Sequence, residues 1–297
     1  AEFGHASVII VPALLASGER FGCTGSRMLE GYVSAYEVGF ALSSVTRRGN
    51  DQHHGMHSTG IFGPVTSATA AGKIMGLTTD ELRRAWGVAV SQSAGVTGNF
   101  GTDTKPLHAG LASQSGVLAA ELASSGFTSN TSALDAPLGF MYSVVAPSYY
   151  DEIDFDNAIK ELGENHTSTT LGFKKYPCGY IAQGAIETAI KLREQTELNV
   201  DDIESLQVRV PILEEYFQVD PTGDVAGKFS YKFTVACALV DGKVTKWTFS
   251  DESFSRKELT PLLQRFSVEK DPDSGSLGVL VARVGGKEYS LPIEPAP

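Results

Sequence analysis

At 297 residues and 42% hydrophobic content, the chain is long enough for two domains with cores of their own. A formal net charge of -11 excludes general nucleic-acid binding, which needs a basic surface to neutralise phosphates, and no Lys/Arg cluster supplies one. No apolar run reaches the ~18 residues of a membrane span. Three scattered cysteines, Cys23, Cys178 and Cys237, point to reduced thiols in an intracellular compartment, cytoplasmic or mitochondrial.

The first half reads as helices: Ile9–Ala16, Ser26–Val45, Val65–Met75, Glu81–Ser93 and Leu107–Ser125. Thr78 and Glu81 have the spacing of a capping box, in which hydroxyl and carboxylate each satisfy the other's backbone N–H. The third and fifth helices are so rich in Ala, Gly and Ser that both are expected at the centre of the bundle. Tyr150–Asn165 reads as a connector, which divides the chain into a helical domain, residues 1–165, and a second domain, residues 166–297. There the period changes. Ala182–Glu194 is helical, whereas Ile203–Val210 alternates like a half-buried strand. Ser255 and Glu258 suggest a capped helix over Lys257–Phe266. Strands are expected at Ser267–Lys270, Val279–Val284 and Glu288–Ile293, with Gly285-Gly286 as a hairpin turn. The class is therefore α+β: a helical domain of small, closely packed residues, then a smaller α/β domain with mostly antiparallel strands.

Two stretches carry chemistry. GMHSTGIFG (Gly55–Gly63) and TKPLHAGLAS (Thr104–Ser113) each place a basic or proton-transferring side chain, His57 or the pair Lys105 and His108, beside glycines and hydroxyls at a helix start. Exposed N–H groups and the positive end of the helix dipole attract a carboxylate or phosphate there, and Lys or His adds charge and a transferable proton. The alternative for His57 is a helix cap, and for Lys105 a solvated surface charge. His53, His54 and His57 are poorly spaced for a metal, with no carboxylate or Cys to complete a set. No P-loop, CxxC pair, HExxH or GxSxG occurs.

Two further blocks, GHASVIIVPALLA (Gly4–Ala16) and FKKYPCGYIAQGAIETAIKL (Phe173–Leu192), stand in the same order and spacing as in the MmgE/PrpD family, which the chain resembles over nearly its whole length. ELASSGFTS with ALDAPLGF behind it (Glu121–Phe140) and KFSYKFTVACALVDG (Lys228–Gly242) extend the match. The family includes 2-methylcitrate dehydratase, cis-aconitate decarboxylase and iminodisuccinate epimerase. The resemblance implies a lid-like second domain, a homodimer formed through the helical half, no metal or organic cofactor, and a small polycarboxylate substrate. It implies His57, Lys105 and His5 as catalytic residues. Ser58, Thr59, Thr104, His108, Lys174, Tyr180, Gln183 and Tyr231 are the corresponding substrate-binding candidates, with a buried structural role as the alternative for His108 and Tyr231.

Two departures qualify it. The family's acidic LDFDDT-like segment before His5 and its closing helices have no counterpart in these 297 residues, so the acidic segment is expected to be removed, to lie outside this stretch of sequence, or to be supplied by a second chain. At Gly179 the cis-aconitate decarboxylases carry a histidine, a proton donor or acceptor of the kind such a reaction uses. The expected function is a cofactor-independent lyase, dehydratase-like or decarboxylase-like. The alternatives are an epimerase of a dicarboxylate, or a non-catalytic or partner-completed member.

Overall fold

A computed structural model describes residues 4–47, 55–145, 147–151, 153–160, 162–164, 166–196, 199–213, 217, 220–221 and 223–295. The chain divides into two compact units, Ala1–Asn99 with Thr104–Gly172, and Phe100–Asp103 with Phe173–Pro297.

The first unit is built on α1 (Ala6–Phe21), α2 (Gly25–Arg47), α3 (Ser58–Met75), α4 (Thr79–Val90) and α5 (Thr104–Ser124). Three short helices follow, α6 (Phe140–Val144), α7 (Pro147–Tyr150) and α8 (Phe155–Lys160). The last lies inside the stretch expected to be a plain connector. Among the described residues the unit's β-structure is one isolated bridge, Met56 to Val96. Helix α3 is buried along nearly its whole length and packs against α1, α2, α4 and α5. Its small residues explain how: a Cβ added at Gly116 of α5 would lie 2.4 Å from Ser67 Cβ and 2.6 Å from the Pro64 carbonyl, so the two backbones come nearly into contact. Helix α5 departs from expectation, because its small residues face inward while Leu107, Leu111 and Leu118 remain about half exposed. Small side chains mark the face that approaches a neighbour; they say nothing of the opposite face.

Helix α4 carries the capping box, with Thr78 Oγ1 accepting from the Glu81 N–H and Glu81 accepting from the Thr78 N–H. Helix α3 begins at Ser58 and not at Val65. Pro64 lies inside it, and continuous burial from Thr59 to Gly72 overrides the local preference against proline. The buried Glu37 of α2 accepts from the Thr167 and Ser168 N–H groups at 3.1 and 2.8 Å. Burial alone would raise its pKa, but these hydrogen bonds win and hold the carboxyl below the usual range.

The second unit holds a four-stranded sheet of order β2-β1-β3-β4: β1 (Ile203–Val210), β2 (Phe266–Lys270), β3 (Val279–Val284) and β4 (Lys287–Pro292). β1 pairs in parallel with β2 and antiparallel with β3, and β3–β4 is the hairpin turned by Gly285 and Gly286 at φ 56° and 76°. The sheet is thus mixed, although two of its three pairings are antiparallel. α9 (Ala182–Thr196) packs on β3 and β4 and on α11 (Tyr231–Asp241), which in turn meets β2. The short α10 (Asp224–Gly227), α12 (Asp251–Phe254) and α13 (Leu259–Gln264) complete it. The Ser255–Glu258 cap does not form: Ser255 ends α12, and the Glu258 carboxylate accepts from Arg256 Nε at 2.9 Å. With that carboxylate engaged by Arg256, the helix shrinks to Leu259–Gln264 and Phe266 becomes the buried first residue of β2.

Candidate functional site

Three helix starts in the first unit bring their side chains together. His5 is the N-cap of α1, His57 the N-cap of α3, and His108 lies in the first turns of α5. Neither N-cap imidazole hydrogen-bonds its own helix end, so the rings are turned elsewhere. His57 Nδ1 lies 3.1 Å from His108 Nδ1, and their ring centroids are 5.3 Å apart. His5 stands edge-on to His57 at 6.0 Å, and its Nδ1 is 3.0 Å from Thr59 Oγ1. His57, His108 and Thr59 are all buried, and Ser58, Thr104 and Lys105 are half-buried beside them in sequence.

The convergence has an electrostatic consequence. Three positive dipole ends and the Lys105 ammonium make the region hostile to further positive charge and favourable to anions. Burial, then the Lys105 charge, then His108 push the His57 imidazole down to about 3. Burial and Lys105 lower His108 as well. Both rings are therefore neutral at pH 7, each with one nitrogen able to accept a proton and one able to donate. Among the described residues no three His, Cys, Asp or Glu side chains are grouped to hold a metal ion. His53 and His54 lie outside the described residues.

Gly95, which sequence reasoning passed over, holds this arrangement. Its carbonyl accepts from the His57 N–H at 3.0 Å, and a Cβ on it would sit 3.1 Å from the His108 ring. Its φ of 126° is one that side chains rarely adopt, so the loop after α4 closes against both imidazoles only with glycine there. The signal available in the sequence was a lone Ala-Gly after the end of a helix, too common to single out.

The remaining candidates belong to the second unit. Gln183 is fully buried and engaged by the backbone: its Oε1 accepts from the Tyr176 N–H at 2.9 Å and its Nε2 donates to the Tyr176 carbonyl at 2.8 Å. Its amide thus locks the Tyr176–Ala182 turn. Tyr231 is buried, with its hydroxyl 3.4 Å from the Ile181 carbonyl. Tyr180 and Lys174 are exposed, and desolvation by the surrounding protein lowers the Lys174 pKa, with the nearby Cys178 opposing it. Gly179 N–H donates to the Lys228 carbonyl at 2.7 Å, and a Cβ there would fall 2.2 Å from Phe217 Cζ.

The sequence that folds into these two units matches known proteins. Residues 1–152 match the MmgE/PrpD N-terminal domain and residues 176–277 the MmgE/PrpD C-terminal domain. The chain belongs to the MmgE/PrpD family. It is similar to cis-aconitate decarboxylase of Homo sapiens, 26% identical over 281 residues, and of Mus musculus, 27% over 282; each match covers 91% of this chain and 57% of the relative. Cis-aconitate decarboxylase of Aspergillus terreus is 24% identical over 308 residues, covering 94% of this chain and 62% of its own length. The chain therefore spans about three-fifths of the length of these relatives.

Proposed function

We propose that this chain carries the acid/base centre of a lyase that acts, without metal or organic cofactor, on a small polycarboxylic acid. The observation that carries the reading is the meeting of His5, His57 and His108 at three helix starts beside Lys105. Lys105 and the helix N–H groups hold carboxylates; His57 moves a proton at the carbon next to one of them; the same positive field stabilises the enolate-like charge that develops. In the free protein His57 is a weak base. A bound polyanion offsets the Lys105 charge that helps depress it, so substrate raises the basicity of the group that acts on it.

Within that class the relatives' names favour decarboxylation of cis-aconitate, whereas Gly179 favours dehydration of a 2-methylcitrate-like acid. Phe217 fills the space a side chain at 179 would enter, which leaves no imidazole from that position. A second reading, epimerisation of a dicarboxylate, draws support from His5 and His57 standing as two separate bases 6.0 Å apart. We further propose assembly as a homodimer through the helical unit, with completion of the site by a second chain as the alternative; a monomer in sedimentation removes the homodimer.

The test is proton NMR in D₂O of the native protein with 2-methylcitrate, cis-aconitate and iminodisuccinate in turn. Turnover of one of them, with deuterium at a carbon beside a carboxylate, is the expected result, and the product names the reaction. Absence of both turnover and exchange with all three overturns the lyase reading and leaves a non-catalytic member.

A further inference from the structure

The His57–His108 contact joins two ring nitrogens of the same kind. Two bare Nδ1 lone pairs facing each other at 3.1 Å inside the protein would repel, and two Nδ1–H groups would clash, so one proton lies between them. The tautomers are then complementary. Where His57 holds the shared proton, its Nε2 is a base and His108 carries its own proton on Nε2; where His108 holds it, His57 Nε2 is the donor.

From this geometry we propose that His57 and His108 form a two-imidazole proton relay, in which His108 is a positioning residue that sets the tautomer of His57 and takes over its proton, and not a ligand of the substrate. The proposal rests on the acid/base role given to His57 above. In the forward step a substrate C–H bond breaks and its electron pair stays on the substrate as enolate-like charge. The proton forms an N–H bond at His57 Nε2. The Nδ1–H bond of His57 then breaks, its electron pair returning to the ring, and that proton bonds to His108 Nδ1. His108, now doubly protonated, releases its Nε2 proton to solvent water. Run backwards, the same path delivers a proton to a carbanion.

Two features support the direction of transfer. Burial depresses His57 more severely than His108, so charge passed to His108 moves to the less desolvated ring. The Gly95 loop holds both partners, by its carbonyl on the His57 N–H and its Cα against the His108 ring, which keeps the nitrogens in line. Among the described residues, the charged and titratable groups seen against the pair include Lys105 from α5 and His5 from the start of α1.

The first measurement is made on substrate-free protein labelled with ¹⁵N in its histidines. A scalar coupling between the two Nδ1 nuclei across the hydrogen bond, with one ring in each tautomer, is expected; no coupling and two Nε2–H tautomers overturn the relay whether or not the protein turns over any substrate. The second is kinetic, on whichever substrate the wild type converts. His108→Asn places an amide near the position of Nδ1 and keeps a hydrogen bond to His57, but cannot pass a proton on. The relay predicts a kcat lower by on the order of 10- to 100-fold with KM little changed. A raised KM at unchanged kcat means that His108 binds substrate, and wild-type kinetics mean that a hydrogen bond alone suffices; either overturns the proposal.

Discussion

The two units bury polar side chains for different ends. In the second, polar side chains hold a turn or a helix in place: buried Gln183 satisfies both backbone groups of Tyr176, half-buried Arg256 grips Asp241 with two hydrogen bonds of 2.7 and 2.8 Å, and Tyr176 donates its hydroxyl to Glu187. In the first, two buried imidazoles at helix starts meet each other, held neutral by burial and a nearby ammonium. All six histidines of the sequence fall within the first unit's range. A polar group whose every hydrogen bond is used can stabilise a fold but has little left for a substrate; groups that can still exchange protons are where chemistry belongs.

The comparison breaks most sharply with one substitution in each unit. His57→Gln keeps a polar side chain of similar size, and turnover is expected to fall by about 10²- to 10⁴-fold with the thermal transition nearly unmoved. Gln183→Leu reverses the pattern. Leaving the Tyr176 N–H and carbonyl buried and unmatched costs about 1–3 kcal/mol each, seen as a lower denaturation midpoint, while the folded fraction keeps its kcat. Loss of activity without loss of stability at Gln183 would return it to the substrate site.

Much of this division was legible beforehand. The strand Ile203–Val210, the Gly-Gly hairpin and the Thr78 capping box were readable because each is a local rule: alternation, positive φ, or a reciprocal hydrogen bond. The ends of α3 and α5 were not, since their first two turns carry Pro64 and Pro106 respectively, and tertiary burial, invisible in a linear pattern, decided that the helices continue through them. That mattered for the site, because starting α3 at Ser58 is what makes His57 an N-cap. The residues His5, His57, Lys105 and His108 could be named from the sequence; that two of them meet nitrogen to nitrogen follows only from a contact between segments 51 positions apart, and the part played by Gly95 only from its contacts with both. The backbone hydrogen bonds of Gln183 were hidden for a related reason: an amide looks the same in a sequence whether it faces a ligand or a backbone.

A smaller effect is expected at Gly179. Adding an imidazole there drives its Cβ into Phe217 Cζ, so Gly179→His is expected to destabilise the second unit by about 1–3 kcal/mol and to give no new decarboxylation. Pairing it with Phe217→Ala removes the obstruction but also takes away a buried ring packed against Phe229 and Tyr231, so the double variant is expected to accept the imidazole and still to be less stable than the wild type. If Gly179→His alone folds as well as the wild type, the space is not filled as described and the argument against decarboxylation weakens with it.

The gentlest test uses pH, and it separates the units without any substitution. His57 takes up a proton near 6.5 in the unfolded chain but only near 3 in the folded one, and His108 is shifted in the same direction. Between those values the unfolded chain binds protons that the folded chain refuses, so stability is full above about 6.5 and falls steadily as the pH drops toward 3. Above pH 5 the carboxylates lowered in the fold, Glu37, Glu81, Glu187, Glu252 and Glu258, are mostly ionised in both states and contribute little slope. From pH 7 to 5 the loss should therefore fall mainly in the helical unit, since the second unit contains no histidine. Hydrogen exchange followed by mass spectrometry resolves this by segment: protection of α1, α3 and α5 should decline over that range while that of β1 and α11 holds. His57→Gln should flatten the decline. Equal losses in both units would mean that the imidazoles are not the groups being titrated, and that their neutrality in the fold is not maintained by burial and Lys105.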